Sequence, residues 1–375
     1  MAFANLTDSH RAKRLQLART PNVGAITYAQ LMARFQYDID AVLEALPELS
    51  TRAGKSRNLT PPPLSAIEDE IAAAAKQGVR YIAFDEQDFP APLAALTPPP
   101  PMIAVRGQME AFAKPGIAIV GSRNASAAGR KITREIAEEL AASGYTIVSG
   151  LARGIDGEAH AAALKTGTTI AVLAGGPTSV YPPEHSGLYQ AILEHGAIVS
   201  ETPFGYTATA RDFPKRNRLI TGLALGVVVC EAALRSGSLI SARTALEQGR
   251  EVMAVPGSPL DERTRGSNGL IKQGAWLIEN AKDVINALEG SAPLNVSEKR
   301  SMSPIEPPAL TASSPSILHA LQTALSPTPI HVEELSRVIG ADVRTINAAL
   351  TELELGGVAT TSPGGMAALN LDAKN

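Results

Sequence analysis

Apolar positions along this chain fall into a regular rhythm between about Gly116 and Leu288. Short β-branched runs recur there: Ile117–Val120, Thr146–Val148, Thr169–Leu173, Ala197–Val199, Val227–Val229 and Val252–Val255. These runs are apolar at nearly every position instead of alternating. That pattern suits strands covered on both faces, the condition of a parallel sheet. Helical stretches such as Gly129 to Ser143 and Ile240 to Gly249 lie between them. Repetition of strand, helix and strand predicts an α/β fold with a doubly wound, mostly parallel sheet.

The flanks read differently. Up to about Gly107 the pattern is helical, punctuated by Pro61-Pro62-Pro63 and Pro98-Pro99-Pro100-Pro101. Serial prolines lack amide donors and mark connections. Between them Ile67 to Gln77 reads as a helix and Arg80 to Phe84 as a strand. Residues 1–107 are therefore assigned to an N-terminal helical domain with a connecting segment, and 108–290 to the sheet domain. Residues 291–315 turn to Ser, Pro and Glu without periodicity, the composition of a linker. Over 316–375, Ile317 to Leu325, Val332 to Ile339 and Val343 to Leu355 read as amphipathic helices. Gly356-Gly357 follows, then a strand-turn-strand from Val358 to Leu371 with Pro363-Gly364-Gly365 at the turn. Three helices and a hairpin outline a winged helix. A chain of 375 residues accommodates these units.

A formal net charge of −3 excludes a basic coat over the whole surface. Any nucleic-acid binding must come from a local patch of Lys and Arg. The single cysteine, Cys230, sits in an apolar run, which excludes an intrachain disulfide and a thiolate zinc cluster. Apolar runs are too short to span a bilayer as a helix, and no signal-peptide core follows His10, Arg11, Lys13 and Arg14. The expected location is the cytoplasm, with no membrane partner.

Ligands of an open parallel sheet bind beyond the carboxyl ends of its strands. Those ends carry Gly121-Ser122-Arg123-Asn124, Ser149-Gly150 through Gly154-Ile155-Asp156, Ala174-Gly175-Gly176, Ser200-Glu201, Glu231-Ala232 with Ser236-Gly237-Ser238, and Pro256-Gly257. The glycines admit close approach, and small hydroxyls at helix starts leave amides free for an anion. The expected ligand is a phosphate compound. Dinucleotides are disfavoured: Ser122-Arg123 interrupts the glycine pattern and no acid ends the second strand. Gly54-Lys55-Ser56 imitates a Walker loop, but Leu49 stands where its first glycine belongs. No esterase elbow or paired-histidine metal motif is present, and no cofactor is expected. Asp156 and His160, four residues apart, could form an acid–base pair. With no nucleophile or metal beside them, the helix-cap reading stands ahead. Arg211 to Arg218 concentrates four basic residues around Phe213. Cations that track a backbone, with an aromatic that stacks a base, suit a single strand.

At these residues the chain resembles the DNA-processing protein A (DprA/Smf) family. The resemblance rests on Gly121-Ser122-Arg123; Ser149-Gly150-x-Ala152-x-Gly154-Ile155-Asp156-x-x-Ala159-His160; Tyr181-Pro182; Ser200-Glu201-x-Pro203; and Phe213-Pro214-x-Arg216-Asn217-Arg218. It continues through Glu231-Ala232, Ser236-Gly237-Ser238-Leu239 and Ala254-Val255-Pro256-Gly257. One departure is His185, at a position where the family often has Asn. The resemblance implies a Rossmann-like domain flanked by an N-terminal helical (SAM/HhH-like) domain and a C-terminal winged-helix-like domain. It implies a non-enzymatic protein that binds single-stranded DNA, protects incoming strands and helps load the RecA recombinase in natural transformation or recombination. Members dimerise through the Rossmann domain. Carried over, Ser122 and Arg123 contact phosphate beside Gly121, Gly150 and Gly154 allow close approach, and Phe213 wedges against bases. Arg216, Asn217 and Arg218 shape the pocket, with Ser236, Gly237 and Ser238 on its rim.

Two other functions compete. A nucleoside-monophosphate phosphoribohydrolase needs a P-G-G-x-G-T-x-x-E stretch, whereas Glu231 to Ser241 reads E-A-A-L-R-S-G-S-L-I-S. A winged-helix transcription regulator would read duplex DNA with Val343 to Leu355. That helix carries Glu352 and Glu354 against Arg344 alone, which favours contact with protein.

Overall fold

A computed structural model describes residues 6–52, 60–290, 314–362 and 364–370. Its centre is a nine-stranded sheet. The strands are β1 (Val79–Ala83), β2 (Met102–Gly107), β3 (Gly116–Val120), β4 (Thr146–Ser149), β5 (Thr168–Val172), β6 (Ala197–Ser200), β7 (Gly226–Val229), β8 (Glu251–Ala254) and β9 (Trp276–Leu277). Their order is β1-β2-β6-β5-β4-β3-β7-β8-β9. From β6 to β9 neighbours are parallel, while β1 and β2 run antiparallel at one edge. Every residue of β3, β4, β6 and β7 is buried, which is why these strands carry no alternation.

The helices, in chain order, are α1 (Asp8–Ala18), α2 (Ala25–Arg34), α3 (Ile39–Arg52), α4 (Leu64–Ala75), α5 (Ala91–Ala94), α6 (Ala127–Ala142), α7 (Ile155–Ala163), α8 (Ser186–His195), α9 (Asp212–Gly222), α10 (Gly237–Glu247), α11 (Arg265–Lys272) and α12 (Ala281–Gly290). One sheet face packs Ile136 and Leu140 of α6, Ala159 of α7 and Val284 of α12 against Ile117, Ile119 and Val228. The other packs Leu219 and Ile220 of α9 and Ala242 of α10 against Val120, Val172 and Val229.

The boundary expected at residue 107 falls inside the sheet domain. β2 pairs with β6, Ala104 opposite Ser200 and Gly107 opposite Ala197, so β1 and β2 extend the sheet. A hairpin isolated from the sheet in sequence cannot show which edge it will cover. Leu15 of α1 and Ile67 of α4 pack on Val79, Tyr81 and Met102 beneath it, and Arg11, Arg14 and Arg19 pair with Glu86, Asp85 and Glu70. The N-terminal helices are thus joined to the sheet through this hairpin.

The C-terminal unit comprises α13 (Pro315–Ala324), α14 (Val332–Ile339) and α15 (Val343–Leu355). A small sheet of β10 (Ile330–His331), β11 (Ala359–Ser362) and β12 (Met366–Leu369), in the order β10-β12-β11, completes a winged helix. Ser314 caps α13, so this unit begins slightly before residue 316. Residues 291–313 of the expected 291–315 linker, the turn residue Pro363 and the Gly54-Lys55-Ser56 stretch lie outside the described residues. No helix among the described residues is long and apolar enough to cross a membrane.

The start of α6 is fixed from across the sheet. The buried Glu231 carboxylate at the end of β7 accepts from the Ser126 amide at 2.9 Å and from its hydroxyl, while Ser126 Oγ accepts from the Gly129 amide at 2.9 Å. A methyl on Gly129 would lie 2.5 Å from Glu231 Cδ. Gly129→Ala is therefore expected to cost about 1–3 kcal/mol, as overpacking of a closed site does. The check is the denaturation midpoint; an unchanged midpoint would contradict this account of the cap.

Candidate nucleic-acid interface

The chain steps outward from β3 through β4 and β5 to β6, then returns to the far side of β3 for β7 and β8. Strand order reverses between β3 and β7, so a crevice opens beyond their carboxyl ends. The structure has a cleft there of about 800 Å³. The loop after β3 contributes Gly121, Ser122 and Arg123. The segment after β7 contributes Arg235, Ser236, Gly237 and Ser238, and α9 contributes Phe213, Arg216 and Asn217. Nine of the twelve candidate residues line this one cleft.

The other three are not among its lining residues. Arg218 is paired with Glu201. Gly150 makes room for Arg216: a methyl there would lie 1.6 Å from the guanidinium Nη1. Gly154, at φ +74°, would place a methyl 2.3 Å from the Ser122 carbonyl oxygen. Both glycines permit close approach of the chain to itself, where the resemblance implied approach to DNA. Gly121 is similar, crowded by Ile155 at 2.6 Å, whereas Gly237 faces open space.

Beneath the cleft, Arg216 is buried and donates to the Val172 carbonyl at 2.9 Å. Burial pulls its pKa down to about 10, opposed by Asp156, so the guanidinium remains charged at neutral pH. Burial raises the pKa of Asp156, while Arg216 and the Ala152 and Gly150 amides hold it down. Asp156 Oδ2 accepts from those amides at 3.4 and 3.1 Å. His160 instead meets the Thr169 hydroxyl at 2.6 Å, and burial lowers its pKa to about 3. Asp156 and His160 therefore turn to different partners, in keeping with a structural role for each. His185 packs its ring near Gly157 and meets the Leu151 carbonyl at 3.0 Å, tying two loops together.

The rim is basic and aromatic. Arg123 lies over the Phe213 ring at 5.0 Å, with Arg216 at 6.0 Å. Tyr181, half-exposed, meets Phe213 edge-on at 5.7 Å. Arg123 and Arg235 line the cleft, and Arg211 and Lys215 flank the lining residues Ala210 and Pro214. All four are exposed and, among the described residues, none forms an ion pair. Tyr181 and Arg235 escaped the sequence-based site. Tyr181 belongs to the Tyr181-Pro182 motif but lies 32 positions before Phe213. Arg235 directly precedes the Ser236 stretch, and no local pattern marks either as part of the rim.

The expectation of free helix-start amides needs correction. At α6 the Ser126 amide is taken by Glu231 and the Gly129 amide by Ser126 Oγ, and before α7 the Gly150 and Ala152 loop amides are taken by Asp156. At α10, Ser236 Oγ accepts from the Ser238 amide at 3.3 Å. Two of these caps are carboxylates, which repel phosphate. An anion in the cleft would meet side-chain cations instead.

Known proteins resemble this chain along most of its length. The family described as DNA recombination-mediator protein A matches residues 80–289. A DprA-like N-terminal HHH domain matches 8–73, and a DprA winged helix domain matches 305–365. Protein Smf of Escherichia coli is 38% identical over 333 residues, 88% of this chain and 87% of the relative. The DNA processing protein DprA of Bacillus subtilis is 40% identical over 220 residues, 58% of this chain and 74% of the relative. Among solved structures, DNA processing protein A from Streptococcus pneumoniae is similar at a TM-score of 0.61 and 32% identity, covering 76% of this chain and 98% of that one. The Helicobacter pylori protein reaches 0.52 and 30%, covering 57% and 97%. By its likeness over 88% of its length to one relative and its matching central domain, the chain belongs to the DNA recombination-mediator protein A family.

Proposed function

We propose that the cleft between the β3 and β7 loops binds single-stranded DNA. The observation that carries this reading is one cleft lined by the unpaired cations Arg123 and Arg235 together with Phe213 and Tyr181, with Arg211 and Lys215 beside its lining residues. Cations spaced along a groove track a phosphate backbone, and exposed ring faces accept unpaired bases of any sequence. Ser122, Asn217, Ser236 and Ser238 add neutral polar groups. Arg216 is a positioning residue, buried below and holding α9. The Helicobacter pylori structure, whose subject is a single-stranded DNA binding mode, supports this assignment.

On the same reading the protein is a recombination mediator and not an enzyme. It covers incoming strands and passes them to the RecA recombinase. A homodimer through the sheet domain fits the open edge at β9, where Trp276 and Leu277 are half-exposed. Sedimentation of the full chain, with Trp276→Glu as the control, reports on that dimer.

Full-length protein titrated with oligo-dT and with duplex at several salt concentrations tests the cleft. Arg123→Ala is expected to weaken oligo-dT binding and to lower the slope of log K against log salt by about 0.7, one phosphate contact. Phe213→Ala should weaken it by about 1–3 kcal/mol, the worth of one stacked base, with the slope unchanged. Gly150→Ala should displace Arg216 and reduce affinity while leaving the surface cations in place. Tight duplex binding with no preference for single strands would sink the assignment. Release of free base from a nucleoside monophosphate would favour the hydrolase.

A further inference from the structure

The cleft does not account for the way α15 is buried. Ile346, Ala349, Leu350 and Leu353 on one face form the winged helix's own core. The C-terminal end of the same helix packs against α2 and α3, where Leu355 joins Leu31, Met32 and Leu46. The polar contacts there are specific. Glu352 is fully buried and pairs with Arg34 at 3.3 Å. Glu354 accepts from the Thr361 amide of the wing at 3.1 Å and from the Thr27 hydroxyl of α2 at 2.5 Å. The Thr351 hydroxyl meets the Gln30 side chain, and the Asn22 amide reaches the Leu355 carbonyl at 3.5 Å.

A buried carboxylate is costly unless a cation or hydrogen bonds compensate it, and Arg34 supplies that cation to Glu352. The same carboxylates would repel phosphates if α15 lay in a DNA groove. We propose that the winged helix is a protein-recognition module. Its ligand is the α2–α3 face of its own N-terminal domain, and its third helix does not read duplex DNA. The receptor face supplies one guanidinium and neutral polar groups around an apolar seat. The ligand class it fits is the acidic, leucine-bearing end of an amphipathic helix. Both halves lie on one chain, and that covalent link raises their effective concentration over any second copy. The proposal is independent of what the cleft binds.

Full-length protein carrying Gln30→Cys and Thr351→Cys, treated with a short thiol-to-thiol crosslinker, tests it. The native Cys230 is buried, with its thiol pKa pushed up to about 12, so the introduced pair provides the reactive thiols. The expected product is a link within one chain, at a yield independent of protein concentration. Arg34→Glu or Glu352→Arg should lower that yield at least tenfold, and the two together should restore it. Circular dichroism checks that each variant is folded; if a reversal misfolds, Glu352→Gln replaces it and should lower the yield severalfold. Links only between chains, no restoration in the double reversal, or loss of the link on adding duplex DNA would overturn the proposal.

Discussion

Arg216 inserts a guanidinium into space left by Gly150, between the Val172 carbonyl and the buried Asp156. A charge so deep is costly, and it stands only because a carboxylate and a carbonyl compensate it. That arrangement locks α9 over the carboxyl ends of the sheet. Phe213 and Asn217 lie three residues before and one after Arg216, so fixing the helix fixes the aromatic and polar groups it presents to the cleft. Asp156 in turn holds the loop between β4 and α7 through the Gly150 and Ala152 amides. The cleft is thus underlain by a buried guanidinium that the Val172 carbonyl and the charge of Asp156 compensate, and it is edged by exposed cations.

Acids and cations divide between the interior and the rim of the cleft. The acids at the sheet's carboxyl edge, Glu231 and Asp156, face inward and consume amides that a phosphate might otherwise use. The basic residues on the rim lack such partners. Recognition through side-chain cations and ring faces suits a polymer, whose backbone passes several charges in succession. A small nucleotide held by helix-start amides would require those amides to be free.

The hairpin of β1 and β2 makes the flanking units part of the same construction. It joins α1 and α4 to the sheet, while α2 and α3 meet α15. The N-terminal helices therefore contact both the sheet domain and the winged helix, and Arg34 and Glu352 connect segments 318 residues apart.

Unbroken apolar runs determined the doubly wound sheet, because strands buried on both faces have no polar side to show. Glycine-ended helices and a final hairpin likewise determined the winged helix, and the cluster from Arg211 to Arg218 marked the basic rim. The tertiary structure decided what those local patterns could not carry. Strand order placed the β3 and β7 loops side by side, and pairing to β6 moved β1 and β2 into the sheet. Glycines that read as openings for a ligand proved to be spaces for Arg216 and for the first loop. Tyr181 joined Phe213 across a long sequence separation, and Glu352 found its cation in another domain. Periodicity records how each element meets its immediate surroundings; which distant charge or ring occupies the other side is set only when the chain folds.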